Sequence, residues 1–144
     1  LRLEWDRYLK VLRQDGLLDD WYDAMLQPDD RVDEKIMKEL YSADVVILLM
    51  SVDFMGSWYV RNKELPVVVS RWNEGKCRLI PVVLRNWAVV KNNKDVKVWN
   101  PLPHGADARP KAIVDFANHD DGWDQVYDAL REILEELGKA KPAQ

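Results

Sequence analysis

Residues 56–72, GSWYVRNKELPVVVSRW, decide the fold, and they read two ways. Ser57 is a helix-capping residue type and two aromatics follow it, a helical opening. Pro66 and the run Val67, Val68 and Val69 close the stretch like a strand. Glu64 lies between the halves. The flanking segments settle the conflict. DVVILLMS (44–51) and RLIPVVLR (78–85) are continuous apolar runs of strand length, the pattern of parallel strands covered on both faces. A parallel connection between them needs a dozen or more residues, usually a helix. Residues 58–74 are the candidate, so topology overrides the valines and predicts a helix there, kinked at Pro66.

Working outward, Trp5, Tyr8, Leu9 and Leu12 recur at helical spacing, which predicts an amphipathic helix over 2–14 that stops near Gly16. LLDDWYDAML (17–26) reads as a short strand, and QPDDRVDE (27–34) as a polar connector. Val32, Ile36 and Leu40 mark a second helix, with Asp30 or Asp33 near its start to suit the helix dipole. KAIVDF (111–116) reads as a third, weaker strand. The polar stretch 86–111 is long for a loop, which suggests function or a short helix. Trp123, Val126, Leu130, Ile133 and Leu137 define a last helix, and residues 138–144 read as a flexible tail.

Strands and helices alternate, so the class is α/β, with a flavodoxin-like doubly wound parallel sheet and helices on both faces. Such a fold starts with a strand that becomes central, whereas this chain starts with a helix. We therefore expect residues 1–137 to form one domain whose first strand is missing, leaving two open edges in mid-sheet.

The 144 residues suit a single domain. The 47% apolar and 32% charged composition is that of an ordinary globular chain. A net charge of −4, with no basic run, points away from nucleic acid. No apolar run is long enough to span a membrane. One cysteine, Cys77, excludes an internal disulfide and fits a reducing, cytoplasmic compartment. Cys77, His104 and His119 have no metal-ligand spacing, so no metal is expected. Seven tryptophans are many for this length and are candidates for both core and binding surface.

From about residue 5 to 137 the chain resembles the TIR (Toll/interleukin receptor) domain, most closely its bacterial branch. LRQDGLLDDWYDAML resembles the end of the first helix and the second strand of such domains. QPDDRVDEKI resembles the BB loop, with Pro28 kept, Asp29 in place of a common Gly and Val32 in place of a common Trp. SADVVILLMSVDFMGSWY resembles the third strand and its Ser-x-Asp-Phe exit. Tyr59 through Glu64 resembles an aromatic-Cys-x-x-x-Glu pattern, with Val60 at the Cys position.

The resemblance implies an NAD glycohydrolase or cyclase, with NAD as substrate and no cofactor, acting in bacterial cell defence. It implies Glu64 as the catalytic residue. Cleavage of the ribose–nicotinamide bond passes through an oxocarbenium-like transition state, which a nearby carboxylate stabilises. Nicotinamide leaves as a neutral group, so one carboxylate suffices. The resemblance also implies self-association through the BB loop (Pro28, Asp29, Asp30, Arg31 and Val32). Trp21 and Tyr22 are candidates for stacking on a nucleotide ring or for the core. Ser51, Ser57 and Tyr59 lie near the carboxyl end of the third strand, where open α/β sheets hold ligands. Capping is the alternative role of the two serines. Asp53 is a turn residue or a ligand. The competing function is a TIR interaction module without catalysis. A phospho-receiver reading fits less well, because Arg85–Asn86 stands where that family carries Ser or Thr before Lys.

Overall fold

The computed structural model describes residues 1–17, 23–26, 38, 41–56, 63, 65–93, 96 and 99–140. Helix α1 spans Arg2–Gln14, as its spacing predicts. It is closed by Gly16 at φ 75°, with the Gly16 and Leu17 N–H groups donating to the carbonyls of Arg13 and Leu12. This doubly bonded terminus needs a left-handed residue, which glycine supplies without strain.

Strands β1 (Asp23–Leu26), β2 (Val45–Met50) and β3 (Arg78–Val83) form a parallel sheet in the order β1-β2-β3. Val45–Met50 pairs in register with Arg78–Val83, so the two apolar runs are neighbours. β1 pairs directly with β2, Asp23 opposite Val45 through Leu26 opposite Leu48. This corrects the expected gap in mid-sheet. A row of unpaired N–H and C=O groups along a buried strand is costly, and β1 fills that edge of β2.

α2 (Val52–Gly56) follows β2, and α3 (Leu65–Asn73) leads into β3. Residues 66–70 are therefore helical, and the topological argument wins over the valine run. Pro66 is the second residue of α3 as described, and Lys63, three residues upstream, is helical as well. The upstream half of the expected 58–74 helix, and with it any bend at Pro66, lies outside the described residues except for Lys63. α3 ends as α1 does, with Gly75 at φ 72° and the Lys76 N–H bonded to the Arg71 carbonyl.

β2 contributes all six side chains to the interior, alternately to two cores. Val45, Ile47 and Leu49, with Ile80, Val82 and Leu84, meet Trp5, Leu9 and Leu12 of α1. The last helix, α5 (His119–Ala140), adds Trp123, Val126, Leu130 and Leu134 to that core. Val46, Leu48 and Met50 face Phe54 of α2, Val68 of α3, Val83 and Val90. Helices thus cover both faces of the described sheet. In α5 the fully packed stripe passes through Leu134, with Ile133 and Leu137 at its margin.

The polar stretch after β3 holds the short helix α4 (Trp87–Val90). The third strand expected at KAIVDF is not formed. Leu102 already occupies the outer edge of β3, with its N–H on the Pro81 carbonyl at 2.9 Å and its carbonyl accepting the Val83 N–H at 2.8 Å. With that edge taken, Ile113–Asp115 closes into a 3₁₀ turn. The flanking Pro101 and Pro103 lack the N–H groups that would lengthen the Leu102 bridge into a strand.

α5 includes Gly138–Ala140, the start of the stretch expected as a tail, and residues 141–144 lie outside the described ones. The helix expected around Val32, Ile36 and Leu40 lies mostly outside them too, though Lys38, Tyr41 and Ser42 are helical.

Candidate functional site

β2 and β3 end side by side, and their carboxyl ends carry Ser51, Val52 and Asp53 on one exit and Arg85 and Asn86 on the other. Ser51 is 4% exposed and caps α2, its Oγ accepting the Phe54 N–H at 3.2 Å. The hydroxyl keeps its own proton to donate. Asp53 is exposed in the first turn of α2, where a negative charge suits the helix dipole. Asn86 was not recognised from the sequence. Its backbone is left-handed (φ 63°, ψ 42°), and its Oδ1 accepts the Val52 N–H at 3.2 Å across the two exits. Asparagine tolerates this conformation better than most residues, so an Asn directly after a buried strand was the signal to find it by.

Glu64, Trp21, Tyr22, Ser57 and Tyr59 lie outside the described residues, as do the BB-loop candidates Pro28, Asp29, Asp30, Arg31 and Val32. Of the residues assigned to the site from sequence, the structure describes Ser51. What it adds is the frame: on either side of Glu64, Lys63 is helical and Leu65 is the first residue of the described part of α3, while α2 begins at Val52.

The other singled-out side chains have structural surroundings. Cys77 is buried against the Val68 carbonyl, and burial pushes its thiol pKa up. His104 Nε2 lies 3.3 Å from Asn100 Oδ1. His119 opens α5 and meets the Glu4 carboxylate at 3.0 Å.

A cavity of about 380 Å³ lies at the opposite, amino end of the strands, lined by Tyr41, Pro66, Val67, Ser70, Arg71, Glu74 and Lys76. Both of its cations are already engaged: Lys76 pairs with Glu74 at 2.9 Å, and Arg71 is held by backbone carbonyls. The Arg71 guanidinium donates to the carbonyls of Tyr41, Ala43 (2.9 Å) and Lys76 (3.2 Å). Arg71 thus ties the entries of β2 and β3 to the end of α3, a second role the sequence did not reveal. Among the described residues, no helix is long and apolar enough to cross a membrane.

A parallel sheet covered by helices on both faces defines a class of α/β domains, which hold ligands at the carboxyl ends of their strands. Within it, the chain belongs to the TIR domain family, whose profile matches residues 6–132. It is 27% identical over 134 residues to "Uncharacterized protein y4lF" of Sinorhizobium fredii (strain NBRC 101917 / NGR234). That alignment covers 92% of this chain and 39% of the relative, so the chain spans about two-fifths of that protein's length. No solved structure matches significantly.

Proposed function

We propose that this TIR domain, in a full flavodoxin-like arrangement, hydrolyses or cyclises NAD at the ribose–nicotinamide bond, with Glu64 as the catalytic carboxylate. The observation that carries the reading is membership of the TIR family over a span that contains the Tyr59-to-Glu64 pattern. The described frame is compatible with it. The connection that carries Glu64 leaves β2 at its carboxyl end, where a ligand crevice belongs in such a sheet. Glu64 stabilises the positive charge that develops on the ribose as neutral nicotinamide departs, so the reaction needs no metal. Ser51, Ser57 and Tyr59, with Trp21 and Tyr22, bind the substrate. The BB loop, Pro28 to Val32, brings copies of the domain together, and the setting is bacterial cell defence in the cytoplasm.

The test is nicotinamide release from NAD, followed by chromatography on the self-associated protein. Glu64→Gln keeps the size and hydrogen-bonding reach of the side chain but removes its charge. Loss of such a preorganised electrostatic contact lowers the rate about a hundred- to a thousand-fold. Activity should rise steeply with protein concentration, and Arg31→Ala should weaken activity and assembly together. Equal rates for wild type and Glu64→Gln would refute the catalytic assignment. Assembly without any nicotinamide release would leave a domain that works by interaction alone.

A further inference from the structure

We propose that Asn86 is a positioning residue: it pins the exit of β2 and so sets where the connection carrying Glu64 begins. Three observations meet at this residue. The sheet itself aligns the two exits, since the Leu84 N–H bonds the Met50 carbonyl at 2.9 Å, immediately before Ser51. Asn86 Oδ1 then takes the Val52 N–H at 3.2 Å, a bond between residues 34 apart in sequence. The Asn86 carbonyl accepts the Val89 and Val90 N–H groups at 2.9 and 3.1 Å, which anchors its own backbone at the head of α4. Val90 is in turn fully buried with Phe54 of α2 in one core.

The side-chain amide is therefore held from behind by a packed helix and reaches forward to a backbone N–H that β2 no longer pairs. Ser51 bonds within its own turn, to Phe54. The Asn86 bond is different in kind, because it fixes the first residue of α2 to a separate strand exit. Small errors in the placement of a catalytic group can cost large factors in rate, so a pin at the root of this connection acts on the chemistry without touching substrate.

The catalytic consequence rests on the hydrolase reading, whereas the pin rests on the contacts of Asn86, and two variants test them separately. Asn86→Gly keeps the left-handed backbone and removes the acceptor. Asn86→Asp keeps an acceptor oxygen at the same reach and tolerates the same backbone. The first readout is amide hydrogen exchange at Val52. We expect it roughly tenfold faster in Asn86→Gly and within about twofold of wild type in Asn86→Asp, the scale of one hydrogen bond. Unchanged exchange in Asn86→Gly overturns the pin whether or not the protein cleaves NAD.

The second readout is nicotinamide release by the assembled protein. With the nucleotide contacts intact, kcat should fall roughly tenfold in Asn86→Gly at a KM within about twofold of wild type, and Asn86→Asp should recover it. Faster Val52 exchange with unchanged kcat overturns the positioning role. A wild type that releases no nicotinamide refutes the hydrolase reading and the catalytic consequence with it, and Val52 exchange alone then decides the pin.

Discussion

At the scale of single residues, Glu4 shows how one carboxylate joins the first helix to the last. Its Oε1 accepts the Trp123 indole N–H at 3.0 Å, and both oxygens lie within 3.1 Å of His119 Nδ1. Partial burial pushes the Glu4 pKa up, but the hydrogen bonds from Trp123 and His119, with the imidazole's charge, outweigh it and leave the pKa below its ordinary 4.5. A carboxylate whose folded pKa is depressed contributes stability that is fully present above the unfolded value and lost as pH falls through the folded one. Unfolding midpoints of wild type should therefore hold near neutrality and drop below about pH 4.5, as Glu4 is protonated. Glu4→Gln should lower the neutral-pH stability by about 1 kcal/mol and flatten that acid limb, because the amide keeps one acceptor and does not titrate. Identical acid limbs in urea melts of both proteins would refute the assignment. Neither this contact nor those of Asn86 and Arg71 was legible in the sequence. They join residues 115, 34 and 28 positions apart, and no local pattern marks such partners. Cys77 was legible, because a lone cysteine before an apolar strand is buried far more often than it is reactive.

Elements were read best where periodicity and punctuation agree. α1 carries apolar residues at helical spacing and a glycine stop, and the structure closes it at Gly16. β2 and β3 were legible as unbroken apolar runs, since two covered faces leave no alternation to find. α3 was legible only through topology, against its own valines. KAIVDF failed because its fate depends on a competitor: Leu102 reaches the edge of β3 first, and a window of six residues cannot show that. α5 offers a test of close packing. A Cβ on Gly122 would stand 2.8 Å from Ile113 Cδ1 and 3.2 Å from both Phe116 and Pro103. Glycine to alanine inside a helix normally gains up to about 1 kcal/mol. Here Ile113 is fully buried, and overpacking of a core typically costs about 1–3 kcal/mol. Packing should win, so Gly122→Ala should lower the denaturation midpoint. Gly138 has no atom within 4 Å of its Cβ position, and Gly138→Ala should leave the midpoint unchanged or raise it. Equal shifts in both variants would show that helix propensity, not contact with the 3₁₀ turn, governs position 122.

At the scale of the whole molecule, the two helical layers are joined by strands they share. Successive residues of β2 enter opposite cores: Ile47 and Leu49 meet α1 and α5, while Leu48 and Met50 meet α2 and α3. β3 repeats the pattern, with Ile80 and Val82 on one side and Val83 on the other. A shift in either strand therefore disturbs both layers. Aromatic stacking stiffens the α1–α5 layer, with Trp5 and Trp123 at 5.3 Å between ring centroids and Trp5 and Tyr8 at 5.6 Å. The opposite layer lacks such a stack among its described residues and relies on aliphatic contacts around Leu48, which is fully buried. Leu48→Ala removes side-chain volume from that layer only. Deletions of this kind cost about 2–5 kcal/mol, a large share of a domain's stability, which is commonly about 5–15 kcal/mol. If the shared strands couple the layers, amide protection in α5 should fall together with that in α3, at one denaturant midpoint and by the same free energy. Native-state hydrogen exchange resolves the two helices directly. Should α5 keep wild-type protection in Leu48→Ala while α3 opens early, the sheet would be a divider between two independent layers. The coupling would then have to be sought in the connections at the strand ends, where Asn86 and Arg71 stand.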